Sequence, residues 1–554
     1  MGSQKDGSPS ITAENAALQT SIPTTHPLGF YFIFWGEFAE RCSYYGMRGI
    51  LPLYLTSALL FEDGEAASTY SYFKSACYLL PLLGGFLADR YFGKYWTIVG
   101  FSVPYVLGHF ILGIETNTAL IIALALLAGG SGVIKPNIST LMGKTYDQER
   151  PGQKALLTSA FLWFYFSINV GATLSLFALP QVRDYLVNSH LEPYNLKEET
   201  RKASDGSESK VWYATKGSER KEITKEEADA LKTEANRYAY PLAFQIPAWL
   251  MVAALGAFAI GKRHYAVEVT APSRLFADGK TVFRWVTSCL QRPGRLVEDA
   301  KKILGAASTP SPQSLVLARL FGVFALIVFF WVAYEQNDNL WTFFARDHIA
   351  EKVVDQDTGK EVETCVLRLG RWQKVFPPDG FQFINSLLIL VLVPLAGLMW
   401  RKIDPQGTRF PPTRKILMGF GWTAAAAGVM SLASFQAAGG EKVSAWWMVL
   451  GYFVLTVGEI LVYGTGLELS YTAAPQHMKG FVTACFLVTN SLGNLINSRL
   501  SPLYKKDIPE AQFFALTAVI VVVASIAFYF VGRRFTRGSA QEAVAEPNDS
   551  PEMP

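Results

Sequence analysis

Twelve runs of about 20 or more mostly apolar residues govern how this chain can fold. Each is long enough, as a helix, to cross a hydrocarbon core of about 30 Å. A backbone in such a core must satisfy its own hydrogen bonds, which a helix does within one segment. The runs predict helices near 28–56, 68–92, 95–115, 119–143, 156–184 and 238–261, then near 314–344, 382–402, 413–437, 444–474, 478–500 and 510–532. Half of the 554 residues are hydrophobic and 17% are charged. The mean hydropathy of +0.20 likewise excludes an average soluble protein. The expected fold class is an all-α membrane protein.

The charges between the runs predict its layout. A polar stretch at 262–313, carrying nine Lys or Arg residues, divides the runs into two sets of six. It includes Lys262, Arg263, Arg284, Arg292, Lys301 and Lys302. The loop at 401–415 is also basic, and Arg533, Arg534 and Arg537 follow the last run, whereas the loops at 57–67 and 115–118 have no Lys or Arg. The positive-inside rule therefore puts the linker and both termini in the cytosol. The expected units are an N-terminal tail, 1–27; a six-helix bundle, 28–261; the linker, 262–313; a second bundle, 314–532; and a C-terminal tail, 533–554. Two long loops, 185–237 and 345–381, fall outside. In the first, Thr224 with Glu227 three residues on forms a capping-box pattern that starts a helix running into the sixth span. The rest of that loop reads as a solvated extension. Six spans, a basic linker and six spans are the layout of many secondary transporters.

Residues 1–26 show no basic segment leading into a short apolar core, so no cleavable signal peptide is expected. Five cysteines, Cys42, Cys77, Cys289, Cys365 and Cys485, lack metal or redox spacing and read as ordinary buried thiols. Six histidines, His26, His109, His190, His264, His348 and His477, form no cluster and read as surface or packing residues. No metal site is expected. The net charge of +4 carries no nucleic-acid signal.

The stretch "GEFAERCSYYGMRGILPLYL", Gly36 to Leu55, breaks the apolar rule. At about 100° per residue, Glu37, Glu40, Arg41, Tyr44, Tyr45 and Arg48 share one helix face about 140° wide. Such a stripe must face a cavity or a bundle interior. Lys135 lies deep in the fourth span, Glu335 in the seventh and Glu459 in the tenth. Seven unsatisfied charges at about 2.5–3.5 kcal/mol each would cost about 20 kcal/mol, more than a fold has to spare. They must pair, meet water or neutralise. A small zwitterion suits such a chamber: Arg48 and Lys135 could hold a carboxylate, and Glu459 or Glu335 an ammonium. Tyr44, Tyr45, Tyr78 and Trp331 could wall it and stack on cations.

Several motifs together resemble the proton-coupled oligopeptide transporters of the major facilitator superfamily. "EFAERCSYYG" is similar to that family's first-span pattern, "GGFLADRYFGKYWTI" to its signature between spans two and three, and "FYFSINVGA" to its span-five signature. "GVIKPN", "FWVAYEQ", "FQFIN" and "GYFVLTVGEIL" follow in order on spans four, seven, eight and ten. The resemblance implies a twelve-helix fold of two six-helix bundles that imports di- and tripeptides with protons by alternating access. It implies that Glu37, Glu40 and Arg41 form the coupling cluster, with Lys135 as switching salt-bridge partner and Glu335 in the gating apparatus. Arg48 and Lys135 would lie near the peptide carboxylate, Glu459 near the amino group with Asn385 beside it, and Trp331, Tyr44, Tyr45 and Tyr78 around the pocket. Gly84, Gly85, Asp89, Arg90 and Gly93 match a loop motif that braces two helices. The implied coupling ion is the proton, with no cofactor and no obligate protein partner. The implied location is the plasma membrane, a bacterial inner membrane in a bacterial-type member.

Cys42 stands where the family's first motif has Phe, and no histidine occurs near Ser71 and Tyr72 on span two, where animal members carry one. Proton handling would then fall to the carboxylates. The 262–313 linker is too polar for the two extra helices of many bacterial members. The same fold could instead carry nitrate, an amino-acid derivative, a peptide-like drug or another organic anion, though Glu459 gives an anion no partner. A polytopic membrane enzyme is disfavoured, because the spans hold no HExxH, GxSxG or paired metal ligands.

Overall fold

The computed structural model describes residues 25–202, 208–216, 219–275, 277–278, 280, 312–354, 361–405, 408–474 and 478–545. Among these the apolar runs become twelve long helices. The first six are α1 (Leu28–Ser57), α2 (Asp63–Leu87), α3 (Gly93–Ile111), α4 (Asn117–Glu149), α5 (Lys154–Leu191) and α6 (Lys225–Ile260). The second six are α7 (Pro312–Tyr334), α8 (Phe383–Ile403), α9 (Pro412–Ala437), α10 (Trp446–Glu459), α11 (Lys479–Leu500) and α12 (Glu510–Ala545). Eight of the spans are long and apolar enough to cross a membrane by length and composition alone. The remaining four, α1, α2, α3 and α11, hold polar residues that lower their hydropathy. α1 carries its four charges, α2 buries Lys74, α3 buries His109, and α11 buries Asn490, Asn494 and Asn497.

Two C-terminal spans change winding at an acidic residue. α7 passes at Glu335 into a 3-10 turn, Glu335–Asp338, then a short helix, Leu340–Phe344, and a π turn, Ala345–Ile349. α10 ends at Glu459 and continues through a π turn, Ile460–Gly464, into a helix at Thr465–Thr472. Such local changes of winding in long helices concentrate at functional sites.

The first six helices pack on one another through α3 on α4, α1 on α5 and α6, and α2 on α4; the last six do so through α9 on α12 and α10, and α7 on α11 and α12. The halves meet where α2 packs on α11 and α5 on α8. Gly84 sits at the α2–α4 crossing, where an added Cβ would stand 2.6 Å from Val133 Cα. There Asn137 Nδ2 donates to Gly84 O at 3.1 Å. Gly85, its neighbour, has nothing within 4 Å and does not serve this packing.

The long loops hold structure that the apolar pattern does not announce. β1 (Lys197–Lys202), β2 (Glu208–Lys216) and β3 (Glu219–Ile223) form an antiparallel sheet in that order. β4 (Glu351–Val354), β5 (Glu361–Leu369) and β6 (Trp372–Phe376) form a second. The first builds the expected solvated extension from paired strands, whose described side chains are all exposed or half-buried, and Lys352 Nζ joins the two sheets by meeting Glu198 Oε2 at 2.5 Å. Pairing with two lysines, Lys352 and Lys210, holds the Glu198 carboxyl below its usual range against the opposing effect of partial burial. The capping box forms as expected: Glu227 N donates to Thr224 Oγ1 at 3.1 Å, and Thr224 N to Glu227 Oε2 at 2.8 Å.

At the opposite end, the turn Ala88–Phe92 leads to Gly93, whose φ of +74° favours glycine. Asp89 pairs with Lys94 at 2.7 Å, and Arg90 with Asp278 at 2.6 Å. Glu268 pairs with Lys144 at 2.6 Å and also accepts from Lys94 N. The loop motif therefore ties the end of α2 to α3 through Asp89 and Lys94 and also holds the chain that leaves α6, and the first part of the expected linker lies against the N-terminal half. Arg284, Arg292, Lys301, Lys302, Cys289, His477 and most of the N-terminal tail lie outside the described residues. α12 runs past the expected end at 532 to Ala545.

Candidate functional site

The charged stripe of α1 resolves into two groups. In one, Arg41 Nε lies 2.8 Å from Glu37 Oε1 and 2.6 Å from Glu40 Oε2. All three side chains are buried, and Cys42 beside them donates to Gly171 O of α5. Two carboxylates against one guanidinium leave one negative charge uncompensated. Glu37 Oε2 and Glu40 Oε1 are buried without a hydrogen-bond partner among the described residues. A proton placed on either carboxyl would neutralise the group.

The other group crosses between the halves. Arg48 Nη1 meets Asp338 Oδ2 at 3.0 Å, and Lys74 Nζ meets the same oxygen at 2.5 Å. Lys74 also pairs with Glu335, whose Oε1 accepts from Asn490 Nδ2 at 2.6 Å. The seven intramembrane charges read from the sequence omitted Lys74 and Asp338. "SYFKSACY" has the polar look of a helix end, and "EQND" that of a loop edge. The signal available was a Lys within an otherwise uncharged apolar run.

Two charges stand apart. Lys135 Nζ lies over the Tyr44 ring at 3.9 Å and the Tyr78 ring at 5.2 Å, and pairs with no acid among the described residues. The expected salt bridge from Lys135 to the glutamate cluster is thus not formed in this conformation; the tyrosine faces hold the ammonium instead. Glu459 Oε2 accepts from Asn385 Nδ2 at 2.8 Å, and Asn385 also donates to Thr456 Oγ1 at 3.0 Å. No Lys or Arg among the described residues pairs with Glu459.

The expected aromatic walls divide. Tyr45 and Tyr78 are half-buried, and the Arg48 guanidinium lies 4.9 Å from the Tyr45 ring centroid. Tyr44, 1% exposed, and Trp331, 5% exposed, are buried, Tyr44 with its ring against the Lys135 ammonium. Trp331 Nε1 donates to Thr489 Oγ1 at 3.0 Å, and its ring meets Tyr334 and Tyr463 edge-on. Arg48, expected near a substrate carboxylate, has its charge engaged by Asp338.

Further cross-half links lie toward the end that carries the sheets. Ser75 and Ser491 hydroxyls are 2.9 Å apart, Ser68 Oγ donates to Ser498 O at 2.7 Å, and Gln382 Nε2 to Gly49 O at 3.1 Å. Arg183 Nη2 meets Asp379 Oδ1 at 2.6 Å, and Arg346 Nη2 meets Asp63 Oδ1 at 2.8 Å. These contacts tie the two halves together at the sheet end.

A family model described as the POT family matches residues 95–302 and 307–516. Solute carrier family 15 member 2 of Mus musculus is 29% identical over 415 residues, 72% of this chain and 47% of that protein. The chain thus spans about half the length of that relative. Dipeptide and tripeptide permease A of Chromobacterium violaceum is 27% identical over 476 residues, 86% of this chain and 84% of that protein. A solved structure described as an auto-inhibited POT family peptide transporter superposes with a TM-score of 0.65 at 25% identity, covering 92% of this chain and 97% of the other. A second, at 24% identity, has a TM-score of 0.67 and covers 93% and 99%. The fold is the twelve-helix major facilitator fold. With both halves matched, the chain belongs to the POT family.

Proposed function

We propose that this protein is a symporter that carries di- and tripeptides across a membrane together with protons. The observation that carries the reading is that Lys135 and Glu459, each deep in its span, have no ion-pair partner among the described residues. Lys135 belongs to the N-terminal half and Glu459 to the C-terminal half. A peptide with a carboxylate and an ammonium supplies the opposite charge to each, and so draws the two halves onto itself. The Glu37–Glu40–Arg41 group supplies the proton site, because it lacks one positive charge for neutrality. Lys135 serves as its alternative partner once peptide leaves.

In this reading the sheet end faces outside, as the basic linker and tails of the other end require, and the conformation is closed to the outside. The membrane is the plasma membrane, the bacterial inner membrane in a bacterial source. A potential of 100 mV is worth about 2.3 kcal/mol per charge, and one pH unit adds about 1.4 kcal/mol. One proton per neutral peptide then supports accumulation of about 500-fold at tenfold per 1.4 kcal/mol. Transport of an organic anion fits less well, since Glu459 would repel it. Proteoliposome uptake of dialanine, with and without an imposed pH gradient, tests the proposal. Gradient-driven accumulation that nitrate does not compete supports it, and uptake indifferent to the gradient refutes it.

A further inference from the structure

We propose that the start of α9, with the ends of α8 and α12 beside it, binds an anionic phospholipid at the end of the molecule opposite the sheets. The headgroup meets the cations there, and the acyl chains lie on the apolar faces that continue from them into the membrane. The site needs only that the helices span a bilayer, and not the peptide reading.

Three helix ends come together at this place. The Thr413 hydroxyl of α9 and the Thr536 hydroxyl of α12 are 2.9 Å apart, and the Lys415 ammonium of α9 lies 4.8 Å from the Trp400 ring of α8. Phe410, in the turn between α8 and α9, meets the same indole at 5.4 Å. The three ends carry Arg401 and Lys402, Arg414 and Lys415, and Arg533 and Arg534, all exposed except the half-buried Lys415. None of these cations pairs with an acid among the described residues. Exposure does not account for that, because the exposed Arg201 and Arg220 at the sheet end pair with Glu222 and Glu199. The one acid of the turn, Asp404, faces its own backbone: Oδ1 accepts from Arg409 N at 3.2 Å and Oδ2 from Phe410 N at 2.7 Å. Arg414 Nη1 donates to Arg409 O at 2.9 Å, so the turn fixes this guanidinium without giving it a counter-ion.

The positive-inside rule accounts for an excess of cations at this end. It does not require that the nearby acid turn away from them, or that an indole seat one of the ammoniums. A phospholipid headgroup supplies the missing anion at the depth where helix ends meet the membrane surface, and tryptophan is enriched at that depth. Toward the membrane centre, Leu398, Met399 and Ile403 of α8 and Ile526 and Phe530 of α12 are exposed, which gives the acyl chains apolar walls. A free inorganic anion gains nothing from those walls. Each Lys or Arg near an anionic headgroup strengthens such binding by about fivefold.

The test titrates the detergent-purified full chain with dioleoylphosphatidylglycerol or dioleoylphosphatidylcholine and counts bound lipid by native mass spectrometry. Phosphatidylglycerol should bind at least about fivefold more tightly than phosphatidylcholine. Arg414→Gln with Lys415→Gln should weaken phosphatidylglycerol at least about fivefold and leave phosphatidylcholine unchanged. Arg150→Gln with Lys154→Gln removes the same charge from the N-terminal half at the same end, and should bind as the parent does. Arg401→Gln with Lys402→Gln, both exposed, serves as a second variant if the first does not fold. Equal binding of the two lipids, or equal losses in the α9 and N-terminal double variants, overturns the proposal. Displacement of the lipid by inorganic phosphate at equal concentration also overturns it, since the site then holds an anion and no acyl chain.

Discussion

Replacing Glu459 by Gln isolates the charge that faces a peptide amino group. The amide keeps the size of the carboxyl, and its oxygen can still accept from Asn385, so local packing survives. What disappears is a negative charge that no Lys or Arg among the described residues pairs with. A hydrogen bond to a charged group contributes about 1.5–3 kcal/mol net. At 1.4 kcal/mol per tenfold, the half-saturating concentration of dialanine should rise about 10- to 150-fold. N-acetyldialanine lacks the ammonium, so its already weak interaction should change less than about threefold. The assay is competition against labelled peptide in proteoliposomes, run as a two-by-two comparison of parent and variant with free and acetylated peptide. Equal losses for both peptides would show that Glu459 stabilises the fold or a conformation rather than an ammonium.

The other predictions concern coupling and packing. Glu40→Gln should abolish pH-driven accumulation while retaining peptide counterflow, because it removes a carboxyl from the group that is one positive charge short; unimpaired accumulation in uptake assays would contradict this. Gly84→Ala should destabilise the detergent-solubilised protein by about 1–3 kcal/mol through overpacking on Val133. Gly85→Ala, with open space around it, should leave thermal stability unchanged. Asp379→Asn should destabilise by up to about 3 kcal/mol, because the buried Arg183 loses its 2.6 Å partner and keeps only one acid, Asp184 at 3.3 Å; the pair Arg183→Met with Asp379→Leu should lose less in the same unfolding measurement.

The helices were legible because a backbone in oil has one economical solution, and the apolar runs report it directly. The capping box at Thr224 was legible because it needs only residues three apart. The charged face of α1 could be read from periodicity, but its partners could not, since Arg48 and Asp338 are 290 residues apart and nothing local marks the match. Lys74 and Asp338 escaped notice for that reason. The two sheets escaped because four of their six strands have six residues or fewer, and the third is exposed with a burial that does not alternate. Lys135 shows a different limit. Sequence says that it needs a partner, but nothing in the sequence marks the faces of Tyr44 and Tyr78, over which its ammonium lies.

The 290-residue separation also bears on biosynthesis. At about 5–20 residues per second, α7 emerges from the ribosome about 15 to 60 s after α1. Throughout that interval Arg48 and Lys74 are cations in a newly inserted half-molecule with no anions opposite them. The young N-terminal half must therefore keep that wall wet or shielded, and a truncated product ending before α7 should be a ready substrate for membrane quality-control proteases.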